Sequence, residues 1–305
     1  MTRVELGVLA LVPALGLVLG CSPELDQHQP VQPGQRGVSS LGQISTQAQW
    51  ELALDVVEVG QLAGPDMVEI DAGSFPRGCP RARRRECEHD ERPARNVYLD
   101  AFAIDRLEVS WADYRACVSA GLCWAPSLDR CWIWTGSDFV RGAGLSELML
   151  QDDHPAVCVT WFEARAYCKA QGKRLPSEAQ WERAARGTDG RTYPWGEQPP
   201  SCDLVAMGGC GAHSFAVGTR PQGVSPSGAL DMSGNVSEWV ADWWHARAYS
   251  YAALRNPEGP ERGHVRVVRG GSFYDGDAHL RTSYRYGIEP QGRLSTVGFR
   301  CVESR

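Results

Sequence analysis

The chain has 305 residues, 43% hydrophobic and 22% charged, a balance that supplies a core and excludes bulk disorder. A formal net charge of -6 leaves no electrostatic case for nucleic acid as a partner. Eleven Trp against seven Phe, with 33 Gly and 19 Pro, point to a loop-rich domain pinned by aromatic anchors, and eleven Cys exceed what a reducing compartment ordinarily keeps without metal motifs.

At the N-terminus, Arg3 precedes an apolar run over 7–19. It is too short to span a bilayer and reads as the core of a signal peptide over 1–20. The run ends Val18-Leu19-Gly20-Cys21, which resembles a bacterial lipobox with Cys21 as the acylated residue. The alternative is an ordinary cleaved signal with a chance cysteine. Lipidation of Cys21 would leave ten cysteines, an even number that fits disulfides in an exported chain. Residues 21–65 are rich in Gln, Pro, Gly and Ser and read as a flexible tether, with a short helical segment over 47–59. From Asp66 the apolar density rises and stays high, so 66–305 reads as one domain.

Three helices have capping-box starts, in which a Ser or Thr and the residue three places on satisfy free backbone N–H groups. They open at Ser110/Asp113, Thr160/Glu163 and Ser177/Gln180, and are expected to end near Gly121, Gly172 and Gly187. Trp161, Ala164, Tyr167 and Cys168 share one face of the second. Short β runs are expected at 68–70, 97–99, 265–269 and 298–302. This is an α+β pattern with much irregular structure. Trp181, Trp195, Trp239, Trp243 and Trp244 read as core anchors, and Arg174 and Glu178 as a pair latching the turn between them. There is no C-x-x-C, no H-E-x-x-H and no zinc-like spacing, and the histidines stand singly.

Seven segments, in order, carry a family resemblance. They are MVEIDAGSFPRG (67–78), ERPARNVYLDAFAIDRLEVSWADY (91–114), HPAVCVTWFEARAYCKAQGKRLPSEAQWERAARG (154–187), YPWGE (193–197), GALDMSGNVSEWVADWW (228–244), RVVRGGSF (266–273) and VGFRCV (297–302). Together they resemble the formylglycine-generating-enzyme, or sulfatase-modifying-factor, family, which implies a C-type-lectin-like fold over essentially the whole domain. In the copper-dependent members two cysteines after R-G-G-S bind Cu(I) and oxidise a substrate cysteine to formylglycine with oxygen. Here those positions hold Asp275 and Leu280. A carboxylate is a hard ligand poorly matched to Cu(I), and leucine is no ligand at all. The resemblance therefore does not carry copper oxidase activity to this chain, and the expectation is no catalytic residue at the copper positions. The family's iron-dependent ergothioneine sulfoxide synthases carry an extra helical domain, for which 22–65, with His28 alone, is too short.

The resemblance implies a Cys168–Cys301 disulfide. Cys79–Cys87 and Cys202–Cys210 are expected as local pairs, and Cys117, Cys123, Cys131 and Cys158 form two more in a connectivity left open. It also implies calcium, held by the Asp231 and Glu238 carboxylates and the Gly234 and Val236 carbonyls, a hard-oxygen set. A second calcium loop would begin near Asp203 and Leu204, without a recognisable acidic partner downstream. Asp275, Asp277 and His279 are weighed as a different, harder metal site and read instead as solvated loop residues. Ser272, Tyr274, Asp275, Arg281, Tyr284 and Arg285 are the residues expected at the retained cleft. The functional expectation is a lipid-anchored protein of the cell envelope that binds a protein, peptide or glycan. The rivals are an enzyme modifying a protein or small molecule, and a purely structural envelope protein.

Overall fold

The computed structural model describes residues 66–80 and 85–305. The signal peptide, Cys21, the tether and the 47–59 helix lie outside the described residues. The elements run β1 (Met67–Ile70), β2 (Gly73–Arg77), β3 (Arg95–Leu99), β4 (Phe102–Asp105), α1 (Trp111–Ser119), β5 (Trp132–Trp134), β6 (Phe139–Arg141), α2 (Trp161–Ala170) and α3 (Glu178–Arg186). Then follow β7 (Ser237–Trp243), α4 (Ala248–Tyr251), β8 (Arg266–Arg269), β9 (Arg285–Ile288), β10 (Val297–Phe299) and β11 (Val302–Ser304). Long irregular stretches separate them, so the chain is α+β and loop-rich.

The three main helices begin where the capping boxes place them. Ser110, Thr160 and Ser177 each accept from the backbone N–H three residues on, and each third side chain reaches back to its cap. Four sheets form, ordered β1-β4-β11, β10-β7-β8-β9, β2-β3 and β5-β6, with β10 parallel to β7 and the remaining named pairs antiparallel. The closing run expected at 298–302 is not one strand. It divides at Arg300 and Cys301, so that β10 joins one sheet and β11 another. The physical cause is at the break: Arg300 turns its buried guanidinium onto Glu238, and Cys301 is bonded to Cys168.

Two large apolar clusters fill the interior. One joins α1 and α2 to Trp239, Phe273 and Phe299. The other packs β1–β4 against Ala179, Trp181, Ala184 and Ala185 of α3 and Val240 and Val267 of the central sheet. Trp181 and Trp239 are fully buried anchors, whereas Trp195, Trp243 and Trp244 are only partly covered. Buried indoles keep their N–H groups bonded: Trp239 donates to the Val159 carbonyl and Trp161 to that of Val240. Among the described residues five disulfides cross-link the domain: Cys79–Cys87, Cys117–Cys123, Cys131–Cys158, Cys168–Cys301 and Cys202–Cys210. The pairing left open thus takes one local link from α1 to the turn after it and one from the residue before β5 to the segment before α2.

Candidate functional site on the 270–286 loop

The segment from Gly270 to Tyr286, which joins β8 to β9 and takes in the first two residues of β9, is shaped by buried charge. Arg269, fully buried, donates to the carbonyls of Thr282, Ser283 and Tyr284 and to Glu182 Oε2. Glu182 also accepts from Gly78 N–H and Tyr249, while Glu178 accepts from Arg77, Arg285 and Tyr249. Two glutamates of α3 thereby tie β2, β8 and β9 together. This corrects the expected Arg174–Glu178 latch: Arg174 donates to Gln180 Oε1 instead, at 2.8 Å, and Glu178 belongs to the buried web. Such paired charges are costly to bury, but removing one partner leaves an uncompensated ion.

The loop's other end is held as firmly. Arg281 makes a two-bond contact with Glu91, at 2.5 and 2.7 Å, and Ser283 Oγ donates to the same carboxylate. Gly271, at φ +69°, passes so close to the His279 carbonyl that a Cβ would lie 2.8 Å from its oxygen. Gly208 N–H donates to the Asp275 carbonyl, which tethers the loop to the Cys202–Cys210 segment.

Of the expected cleft residues, Ser272, Tyr274, Asp275 and Tyr284 come together. Arg281 lies over the Tyr284 ring, 5.9 Å from its centroid, but its guanidinium is taken by Glu91, and Arg285 is buried away from them in its ion pair with Glu178. Asp275 Oδ2 accepts from Ser272 N–H and Oγ–H at 2.9 and 2.8 Å, and Oδ1 lies 3.3 Å from His279 Nδ1. Burial pushes the Asp275 carboxyl up, against the opposing pull of the Ser272 bonds and His279. His279 packs on Tyr284, centroids 4.7 Å apart, and Tyr284 on Tyr286 at 5.9 Å. Burial, with Asp275 and the acids at 88–91, pushes Tyr284 up to about 12, so its phenol stays protonated at neutrality. Tyr274 is 41% exposed and packs on Trp134 and Phe139, which face each other across the β5-β6 hairpin. The hairpin aromatics were not singled out in the sequence, although Trp-x-Trp in an alternating run was a usable signal for one aromatic strand face.

Copper(I) does not fit this set. Leu280 is fully buried with Leu204 and Val205, Asp275 offers hard oxygens already hydrogen-bonded, and all ten cysteines among the described residues are in disulfides. Nor is the harder metal site assembled: Asp277 stays exposed, and among the described residues no group of three or more His, Cys, Asp or Glu side chains is placed to hold a metal.

The residues expected to hold calcium form a separate buried cluster, and their donor set fits the ion only in part. Asp231 Oδ2 accepts from Gly218 N–H. Both Glu238 oxygens are taken by Arg300, and one also accepts from Trp181. Glu108 accepts from Asn235 and Val236 N–H in the same neighbourhood. Three carboxylates thus surround one buried guanidinium. Burial, then Asp231 and Glu238, push Glu108 well up, and burial is the largest cause raising Asp231.

A loop-rich α+β domain held by disulfides, with its glycine turn beside a buried ionic web, is a sulfatase-modifying-factor-type domain. The sulfatase-modifying factor enzyme 1-like domain matches residues 52–305, a start earlier than the boundary expected at 66. The chain belongs to that family. It is similar to the formylglycine-generating enzyme of Bos taurus, at 32% identity over 98% of this chain and 88% of that protein. Hercynine oxygenase of Mycolicibacterium thermoresistibile is 33% identical over 70% of this chain and 53% of its own length. Among solved structures, PvdO from Pseudomonas aeruginosa superposes with a TM-score of 0.66 at 26% identity, covering 79% of this chain and 95% of that one.

Proposed function

We propose that this chain is a copper-independent family member that binds a protein, peptide or glycan on the face formed by the 270–286 loop and the β5-β6 hairpin. The observation that carries the reading is Asp275 and Leu280: one is a hydrogen-bonded carboxylate, the other a buried apolar side chain, and neither can hold Cu(I). The exposed Tyr274 beside Trp134 and Phe139 offers ring faces to a partner, which suits contact surfaces rich in aromatics. Five disulfides support an oxidising, exported setting, and a lipid anchor at Cys21 would keep the domain at the cell envelope.

The test has two arms. A cysteine peptide of the sulfatase type is incubated with the protein, with and without copper, and read by mass spectrometry for loss of the thiol and gain of the aldehyde. No conversion is expected, and copper-dependent conversion overturns the reading. In parallel, envelope fractions are passed over the wild type and over Trp134→Ala and Tyr274→Ala. A partner retained by the wild type and lost by both variants is expected. Equal retention by all three moves binding off this face.

Calcium is a second, separate proposal for the Asp231 loop. Its support is the buried Asp231 carboxyl, which burial and the neighbouring Glu238 charge push up and which a bound cation would hold ionised. Glu238→Gln is the wrong probe, because it also weakens the Arg300 contact. Asp231→Asn is the better one: a melting temperature that rises with calcium in the wild type and not in this variant is expected, and a wild-type curve indifferent to calcium and to chelator rejects the ion.

A further inference from the structure

A cavity of about 230 Å³ lies where the turn between β3 and β4, the residues opening α3, the 256–258 segment and the end of β11 meet. It shares no residue with the 270–286 loop or the β5-β6 hairpin. Its wall includes Gln180, which is only 8% exposed. Gln180 Oε1 accepts from Ser177 N–H at 3.0 Å and from Arg174 Nη1 at 2.8 Å. Two donors at one atom fix which end of the amide is the oxygen. Nε2 is therefore a donor, and among the described residues no protein group accepts from it. A donor buried to this depth is costly to leave unmatched, so it calls for an acceptor in the cavity. Ser177, equally buried, accepts from Gln180 N–H and has its own hydroxyl proton to give.

Four charged side chains line the cavity, and two of them are committed: Asp100 to Arg255 and Asn256, and Arg305 to Glu69 and Glu303. Arg174 and Glu258 are not. Arg174 uses Nη1 for Gln180 and for the Leu175 carbonyl, which pins the guanidinium and leaves the Nε–Nη2 edge without a protein acceptor. The Glu258 charge reaches Arg174, yet among the described residues the two do not meet as an ion pair. We propose that this cavity binds a small zwitterion of the α-amino-acid kind, its carboxylate on Arg174, Gln180 Nε2 and the Ser177 hydroxyl and its ammonium group on Glu258. A carboxylate matches the planar edge of a guanidinium with two parallel bonds and supplies the acceptor that Nε2 lacks. One uncommitted cation balances a monoanion, whereas a phosphate dianion would be left with excess charge beside Asp100 and Glu258. The cavity is smaller than the roughly 300–1,000 Å³ of ordinary ligand clefts, which restricts it to a molecule of this size. The inference goes beyond the binding reading above and does not depend on it.

The test uses the full-length chain and three probes: L-alanine; propionate, which lacks the ammonium group; and ethylammonium, which lacks the carboxylate. 15N NMR follows the Gln180 side-chain amide and the Ser177 backbone amide. L-Alanine is expected to shift both signals saturably, with a Kd at least about tenfold tighter than that of either partial probe. Glu258 is exposed, so Glu258→Gln leaves the fold intact; it is expected to weaken L-alanine at least about fivefold and to leave propionate within about twofold. Gln180→Glu keeps an acceptor for Ser177 N–H and Arg174 and turns the donor into an anion. In this variant the Ser177 amide is expected not to respond to L-alanine. No saturable shift in the wild type up to about 50 mM L-alanine, beyond the millimolar range of weak ligands, overturns the proposal and leaves solvent as the acceptor for Nε2. Propionate binding as tightly as L-alanine overturns the zwitterion, and an L-alanine Kd unchanged in either variant overturns the site. Should Gln180→Glu fail to fold, the three probes on the wild type and on Glu258→Gln decide.

Discussion

Arg300 fixes the local chain around the Asp231, Glu238 and Glu108 carboxyl groups. Its guanidinium is fully buried, meets both oxygens of Glu238, and donates to the carbonyls of Asp105, Arg106 and Leu230. Five donors meet acceptors supplied by β4, the turn before β7, and β7 itself, a use of the planar fork that lysine could not copy. Arg300→Met keeps the length of the side chain and discards the charge. Glu238 would then sit buried with Trp181 as its remaining donor, against the residual charges of Glu108 and Asp231. A loss of about 3–5 kcal/mol is expected on unfolding in urea, the range for breaking a buried pair. A loss under about 1 kcal/mol would mean that the pair is open to water in solution.

Among the elements, α2 and the C-terminal strands depend most on a covalent link. Cys168 near the end of α2 meets Cys301 between β10 and β11, across a sequence separation of 133 residues. The chain-entropy account gives about 4–5 kcal/mol for closing a loop of this size, often less in practice. Cys168→Ala with Cys301→Ala should therefore lower stability by at least about 2 kcal/mol, whereas the equivalent change at Cys117–Cys123, which closes a separation of six, should cost less. Thermal unfolding of the two double variants checks the order, and the reverse order would mean that native packing, not loop length, sets the cost. The same elements mark how far the sequence could be read. The three capping boxes were legible because helix starts are written locally, in a hydroxyl and the side chain three places later. The break at Arg300 was not, since G-F-R-C-V alternates like one strand and the partners that divide it, Glu238 and Cys168, are distant in sequence. Asp275 and Leu280 showed the absence of copper thiolates directly. The burial of Arg281 and Arg285 was illegible for the same reason as the strand break, because their acids lie at Glu91 and Glu178, far upstream.

For the whole molecule, the buried carboxylates set an acid-side maximum of stability. Burial pushes Asp242 up to about 7, with the Glu178 charge adding to the effect, while the opposing guanidiniums hold Glu178 down at about 2 despite its burial. Asp242 Oδ2 accepts from Glu178 N–H, and Oδ1 has no hydrogen-bond partner, a geometry that suits a neutral acid. Between about pH 4 and 7 the folded chain thus binds a proton at Asp242 that the unfolded chain has released, so stability falls as pH rises through this window. Glu108, Asp231 and Asp105 are also raised chiefly by burial and act with the same sign. Glu178 acts oppositely, but only below its unfolded value: its contribution is present above about pH 4.5 and is lost as pH falls toward 2. Urea unfolding with disulfides intact is therefore expected to show greater stability near pH 5 than near pH 8. Asp242→Asn removes the proton-linked step and keeps an acceptor for Glu178 N–H, so its curve should be flatter between those values, with the variant closest to wild type at the acid end. A wild-type stability that climbs from pH 5 to 8 would place Asp242 in the ionised state and assign its charge to the Arg77 and Arg285 guanidiniums.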